Sequence, residues 1–382
     1  MYKNTCGITP RVGPEYLLEK EHCMNLRKGI TAVLITGLII AAVLGVVGCG
    51  KDDGSASTDT GVETEEKTES KTEEKTVIGI AKFVQHPALD AVEKGIQDEL
   101  TELGYTDIMY DLQNANADVN TAAQIASKFR SEDVNLAVGI ATPTAQALVK
   151  TITDRPVVFS AVTDPVSAGL VASLDAGDEN VTGYSDMTPV REQIELLLEI
   201  VEIDTLGHVY TSGETNAVVL ADKAREACEE LGIEFVEATI TNSAEVKQAA
   251  QSIVDRVDAF YVSNDNTVVS ALTSLCDVAM KAKKPIMSAD PSSAQEFRVL
   301  AALGFDYYKH GRATGRLVHR ILTGEDPASI PVQFMSDPND VDQLLINLDV
   351  AREIGVDVPE EIVERANILR ENGEIELRES SG

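Results

Sequence analysis

The 382-residue chain contains no tryptophan, and aromatic residues make up only 4% of it. Sites for a sugar usually stack the ring on a large aromatic face such as an indole, so a carbohydrate ligand is less favoured than other small solutes. Basic residues are also scarce, with 32 Lys+Arg against 63 Asp+Glu for a net charge of −31. No basic stripe is present to neutralise phosphates, which argues against a nucleic-acid partner, and the acidic charge is spread along the chain as a solvated surface. Of the five cysteines only Cys228 and Cys276 fall where the chain looks folded, about 48 positions apart in helical patterns. Buried free thiols suit such positions, although two cysteines of an exported protein can also pair. The histidines (His22, His86, His208, His310, His319) never form a pair at ligand spacing, so no metal is expected. A Gly-x-Gly-x-x-Gly turn and a Walker-type loop are absent, and Gly183-Tyr184-Ser185-Asp186 lacks the second glycine of a nucleophile elbow. The chain therefore reads as a non-enzyme with no cofactor.

What is present begins with an export signal. A short basic segment, Met24-Asn25-Leu26-Arg27-Lys28, precedes an apolar run over 29–48 and then Cys49. Val46-Val47-Gly48-Cys49 resembles a bacterial lipobox, whose cysteine is lipidated and becomes the mature N-terminus. A run of that length can also span a bilayer as a permanent anchor; both readings place the rest outside the cytoplasm. The 23 residues before Met24 have no signal character, so residues 1–48 are set aside as upstream segment and signal. After Cys49 the stretch to residue 76 is Asp, Glu, Ser, Thr, Gly and Lys with Ala56 and Val62 as its apolar residues, and reads as a disordered acidic tether.

From residue 77 the hydrophobic period alternates between strand and helix. Strands are expected at 77–81, 108–111, 136–140, 156–162 and 180–184, with helices at 88–103, 119–129, from 143, and at 190–201. A second set of strands follows at 206–210, 234–238, 259–262, 285–289 and 300–305. This is an α/β pattern with mostly parallel sheets, and the length calls for two cores. The halves repeat: Glu102-Leu103-Gly104-Tyr105 answers Glu230-Leu231-Gly232-Ile233, and Arg155-Pro156-Val157-Val158-Phe159 answers Lys284-Pro285-Ile286-Met287-Ser288. A cleft between two such lobes is a natural ligand site.

The strand-to-helix turns share one construction. His86-Pro87, Thr142-Pro143, Asp164-Pro165 and Asp290-Pro291 each put a polar residue before a proline, and Asn264-Asp265-Asn266-Thr267 does the same without proline. Capping alone explains any one of them. Together they gather helix N-termini and carboxylates at one edge of each sheet, where ligands bind in open α/β sheets. A helix is expected to start at Asp164-Pro165.

Several of these segments carry a resemblance. Phe83-Val84-Gln85-His86-Pro87-Ala88-Leu89-Asp90, Ala141-Thr142-Pro143, the run 157–165, the run 183–189, Asp265-Asn266-Thr267-Val268 and Ala301-Ala302-Leu303-Gly304-Phe305-Asp306-Tyr307-Tyr308 together resemble the ABC-transporter substrate-binding lipoproteins of the tryptophan/tyrosine type. Departures are Phe297-Arg298-Val299-Leu300, where the family often has a glycine, and an added loop over 335–341. The resemblance implies a type I periplasmic-binding-protein fold: two Rossmann-like lobes joined by three hinge crossovers, near 185–189, 305–309 and 333–345. The N-terminal lobe is expected to comprise 77–186 plus about 308–332 and the C-terminal lobe 187–307 plus about 333–370, with a polar tail over 371–382. It also implies a small amino acid, often aromatic, as ligand, a permease and its ATPase as partners, and the outer face of the bacterial membrane as location. The ligand-binding half of a sensor shares the fold and is the alternative. Candidate ligand-binding residues are Phe83, Gln85, His86, Thr142, Thr163, Asp164, Asp186, Ser212, Glu214, Asn216, Asp265, Asn266, Asp290 and Asp306. Thr142 and Thr163 are candidate donors to a carboxylate, Asp164, Asp265 or Asp290 candidate partners of an ammonium, and Phe83, Tyr184, Tyr210 or Phe305 candidate walls for an aromatic ring.

Overall fold

Apolar runs bounded by Gly, Pro and Asp become buried strands, and the amphipathic segments between them become the helices that cover both faces. The computed structural model describes residues 75–336 and 343–378. The export segment, Cys49, most of the tether, part of the loop at 335–341 and the last four residues lie outside the described residues. The first lobe runs β1 (Val77–Lys82), α1 (Pro87–Glu102), β2 (Met109–Asn114), α2 (Val119–Ser131), β3 (Leu136–Ile140), α3 (Thr142–Thr151), β4 (Val157–Ser160) and β5 (Val181–Ser185). The chain then crosses into the second lobe: α4 (Val190–Ile200), β6 (Thr205–Thr211), α5 (Thr215–Leu231), β7 (Glu234–Ile240), α6 (Val246–Ile253), β8 (Ala259–Val262), α7 (Asn266–Ser270), α8 (Leu272–Lys281), β9 (Ile286–Ser288), α9 (Pro291–Ala294) and β10 (Ala301–Gly304). It returns through α10 (Tyr307–Leu322) and β11 (Gln333–Phe334). It crosses a third time to β12 (Gln343–Asn347), α11 (Leu348–Ile354), α12 (Glu360–Arg365), β13 (Ile368–Glu371) and β14 (Glu374–Leu377).

The first sheet has the order β11-β5-β4-β3-β1-β2 and is parallel throughout. The second has the order β14-β13-β12-β10-β9-β8-β6-β7, with antiparallel pairing only at β10–β12 and β13–β14. Within each, the same five-strand winding recurs: β2-β1-β3-β4-β5 in one and β7-β6-β8-β9-β10 in the other. In both lobes the strand order reverses beside the first strand, and the crevice at the carboxyl ends of those strands is where this fold class places a ligand. Buried apolar side chains fill the space beneath: Ile78, Val92, Phe129 and Phe159 in the first lobe, Leu206, Tyr261, Phe260 and Leu275 in the second.

α10 is tied to the first lobe rather than to the lobe it leaves. It lies along α1 so closely that a Cβ on Gly95 would strike the Tyr308 carbonyl, and one on Gly311 the Val92 carbonyl. Glu99, which is nearly buried, draws in both Arg312 and Arg316 across the same helix pair.

Two expectations differ from what forms. Asp164-Pro165 starts a turn and not a helix: the Ala168 amide reaches the Asp164 carbonyl at 2.9 Å and the Leu170 amide reaches Pro165 at 2.9 Å, after which the chain stays irregular to β5. The stretch 371–378 is not a tail. Ile368 and Leu369 are buried as β13 adds in parallel to β12, and Asn372-Gly373, both at positive φ, fold β14 back upon it. Asp349 holds that turn by accepting from the amides of Asn372 and Gly373, each at 2.8 Å.

Candidate functional site

The turns after β1, β4, β5, β6, β8 and β9 and the start of α10 converge on a narrow cavity of about 20 Å³, far below the size of a ligand pocket. Its first-lobe wall is His86, Ala88, Leu89, Ala161, Thr163, Asp186 and Tyr307, and its second-lobe wall is Asn216, Asn264, Asp265, Asn266, Val269 and Asp290. The lobes also touch outside the cavity, where the Gln146 amide reaches Thr215 Oγ1 at 3.4 Å.

Three carboxylates are buried at this wall. Asp186, on the first crossover, accepts from Thr163 Oγ1 at 3.2 Å, from the Tyr307 hydroxyl at 2.8 Å and from Asn264 Nδ2 of the other lobe at 3.4 Å. Burial pushes its pKa up, against the Tyr307 and Thr163 hydrogen bonds. Asp265 caps α7 by accepting the Val268 amide at 2.9 Å, and also takes the Thr211 amide at 2.6 Å and Thr211 Oγ1 at 2.8 Å. Burial and the neighbouring Glu214 raise it. Asp290 caps α9 through Oδ1 on the Ser293 amide at 3.0 Å, and its other oxygen has no hydrogen-bond partner among the described residues. Burial pushes Asp290 up to about 6, with Asp186 adding to the shift. No lysine or arginine lines the cavity. Buried carboxylates without a cation are costly unless a ligand brings the positive charge, so the wall favours an ammonium. Apolar Leu89 and Val269 and the Tyr307 ring complete it.

His86 also lies on the first-lobe wall. It occupies the N-cap of α1 in extended conformation but makes no side-chain cap, and neither ring nitrogen has a hydrogen-bond partner. Burial holds it down to about 4, so the imidazole is neutral. His310 is also neutral and lies beneath the wall, where Nε2 accepts the Ala161 amide at 3.1 Å. That bond fixes Ala161, whose φ of 53° is rare for a residue with a Cβ.

The structure distributes the candidate residues as follows. His86, Thr163, Asp186, Asn216, Asp265, Asn266 and Asp290 line the cavity. Glu214 lies behind it and ties two helix starts together, taking the Thr267 amide at 3.1 Å, Thr267 Oγ1 at 2.6 Å and Asn266 Nδ2 at 2.6 Å. Thr142 is buried off the wall with its hydroxyl unpartnered. Phe83 is core, Gln85 and Ser212 are exposed, and Asp306 caps α10 at the Lys309 amide. Asp164 spends both oxygens on its own turn, accepting from the Val166 and Ser167 amides at 3.1 and 2.9 Å and from Ser167 Oγ at 2.7 Å. Of the candidate aromatic walls, Tyr184 and Phe305 pack edge-on to His310 and Tyr210 stacks on His208, none of them on the cavity. Tyr307, Asn264, Leu89 and Val269 were not among the candidates. Tyr307 had one usable signal, since it is the first helical residue after the second crossover and so begins at the cleft.

Two lobes, three crossovers and a cavity lined from both lobes define a binding protein for a small solute. The family described as ABC transporter substrate binding protein matches residues 77–369, and the chain belongs to it. It is 37% identical over 325 residues to the tyrosine-binding protein of Clostridioides difficile, covering 83% of this chain and 91% of that one. It resembles the crystal structure of an ABC domain in complex with L-Trp from Streptococcus pneumonia, with a TM-score of 0.74 at 32% identity over 77% of this chain and 99% of that one. Against the ligand-free, open structure of a substrate-binding protein with adhesive properties from Clostridium difficile the TM-score is 0.57 at 36% identity, covering 75% and 96%. Among the described residues no helix is long and apolar enough to cross a membrane.

Proposed function

We propose that the protein is an extracytoplasmic, lipid-anchored receptor that captures an aromatic amino acid between its lobes and delivers it to an ABC permease. The observation that carries the ligand class is the cavity wall: three buried carboxylates, no cation, and an apolar side formed by Leu89, Val269 and Tyr307. An ammonium meets the first feature and a flat hydrophobic side chain the last. A tyrosine-binding relative and a neighbour holding L-Trp support the same class. The lower TM-score against an open structure, at higher identity than the L-Trp complex, supports reading this arrangement as the closed form. Ligand favours that form because contacts from both lobes exist only there.

A thermal-shift screen of the twenty amino acids and common sugars tests the reading. Ligand at 100 times Kd adds about 2.7 kcal/mol, which raises Tm by roughly 5–10 °C for lobes of this size. A shift confined to sugars, or none for Tyr, Trp or Phe, refutes it. The anchor is tested separately: mass spectrometry of membrane-extracted protein should find a diacylated or triacylated Cys49 at the N-terminus, and Cys49→Ala should release the body or leave an uncleaved precursor.

A further inference from the structure

Resting on that reading, we infer that Gln193, a buried residue off the cavity wall, is a positioning residue for lobe closure. It clamps the second-lobe ends of the crossovers to the sheet, so the chain bends only in the short segments between the lobes.

Gln193 lies in the opening turn of α4 and is fully buried, an uncommon place for a primary amide. Both ends of that amide are engaged. Nε2 donates to Thr188 Oγ1 and to the Leu303 carbonyl, each at 2.6 Å, and Oε1 accepts from the Tyr261 hydroxyl at 2.6 Å. Thr188 belongs to the first crossover. Leu303 is the last residue but one of β10, just before the second. It pairs in turn with Leu344 of β12, the strand that the third crossover delivers. Tyr261 stands in β8 and is fully buried in the second-lobe core. One side chain therefore meets two crossovers directly and the third through a strand partner, and it fastens them to the middle of the sheet.

Such a network is stiff, because breaking any one of its bonds strands a polar group away from water. The backbone beside it has no slack either. A Cβ on Gly304 would lie 2.2 Å from the Ala289 carbonyl, so β10 is packed tightly up to the edge of the second crossover. On the first-lobe side, Ser185 Oγ donates to the Thr163 carbonyl at 2.9 Å and Thr182 Oγ1 to the Ile330 carbonyl at 3.0 Å, which ties the first and third connections there. The residues left between the two sets of ties are Asp186 and Met187 in the first crossover and Phe305 and Asp306 in the second. A hinge is a few such residues that absorb the change in backbone angle. Asn264, Asp265 and Asp290 ride on the second sheet, so they return to one place opposite the first-lobe wall only while that sheet is fixed to its crossovers.

The test is the distribution of inter-lobe distances, measured by pulsed electron spin resonance on the full-length protein in detergent. Spin labels go on Gln124→Cys in α2 and Gln251→Cys in α6, one exposed site on each lobe. Gln193→Leu, which removes all three bonds at similar size, should broaden the distribution with and without L-tyrosine. It should also raise the Kd for L-tyrosine and L-tryptophan by about tenfold, although the residue touches neither. Thr188→Val and Tyr261→Phe, each removing one bond, should do the same to a lesser degree, and they decide the question if the triple loss prevents folding. Leu275→Ala is the control for a merely structural role, since Leu275 is fully buried in the second lobe and away from the crossovers. It should lower the melting temperature while leaving the width and the Kd as in the parent. Parent-like widths in the Gln193, Thr188 and Tyr261 variants, or equal broadening by Leu275→Ala, overturn the clamp. A parent that binds no aromatic amino acid overturns the ligand class instead, and the widths without ligand still decide the clamp.

Discussion

Asp164-Pro165 and Asp290-Pro291 are the same dipeptide after equivalent strands of two similarly wound sheets, and they end up with different roles. Asp164 is half-buried and consumes its carboxylate locally, because Ser167 supplies an amide and a hydroxyl to it. Asp290 is buried, spends one oxygen on the Ser293 amide and faces the cavity with the other. An aspartate before a helix or turn becomes available to a ligand only when its own turn leaves an oxygen over. Both turns carry serine three positions on, so the difference lies in geometry: the Ser167 hydroxyl reaches its aspartate, while the buried Ser293 hydroxyl makes no hydrogen bond.

The sharpest way to break this contrast is to remove each carboxylate. Asp290→Ala should weaken amino-acid binding by about 2–5 kcal/mol, as for loss of one partner of a buried charged pair, whereas Asp164→Ala should leave the Kd within about twofold. Calorimetry on both variants checks this, and comparable losses would mean the two turns are functionally alike.

Acidity separates the two next. Burial disfavours the charge of Asp290 and pushes it up to about 6, whereas a bound ammonium favours the charge. Affinity should therefore fall as pH drops through about 6, at most about tenfold per unit, and Asp290→Asn should flatten the profile. The effect on folding has the opposite sign. A carboxyl whose folded pKa lies above its unfolded value contributes stability at low pH that is lost as pH rises through the folded value. The parent should thus gain stability relative to Asp290→Asn on acidification from pH 7 to 5, measured by denaturant unfolding.

The smallest effect belongs to the other turn. Asp164→Ala should cost about 1 kcal/mol of stability through its lost cap, and Ser167→Ala less than that. Neither should alter the pH profile of binding.

The alternation of strands and helices was legible because buried parallel strands such as Leu136–Ile140 are unbroken apolar runs and helices such as α4 carry a regular apolar stripe. The turn that faces the cleft was not, since Asp164 and Asp290 look alike until the following residues are folded. The hairpin at 371–378 was readable from Asn372-Gly373, a strong turn signal, but its charged strands lack the apolar alternation that marks a strand. β14 is exposed along its whole length, so burial imposed no pattern on it. Tyr307 is another such case: its place on the wall depends on where the second crossover delivers α10, which is a property of the two sheets and not of the residues around it.

The hydrogen bond between the Tyr307 hydroxyl and Asp186 joins the first crossover to the second. Two connected points define a line, and a body attached along a line can swing about it but resists sliding or twisting across it. In the proposed opening, that bond would make the lobes a door on a pin and opening a single swing. Because Asp186 and Tyr307 also line the cavity, a ligand lodged there would sit against the pin itself, stiffening the axis at the same moment that it shut the door.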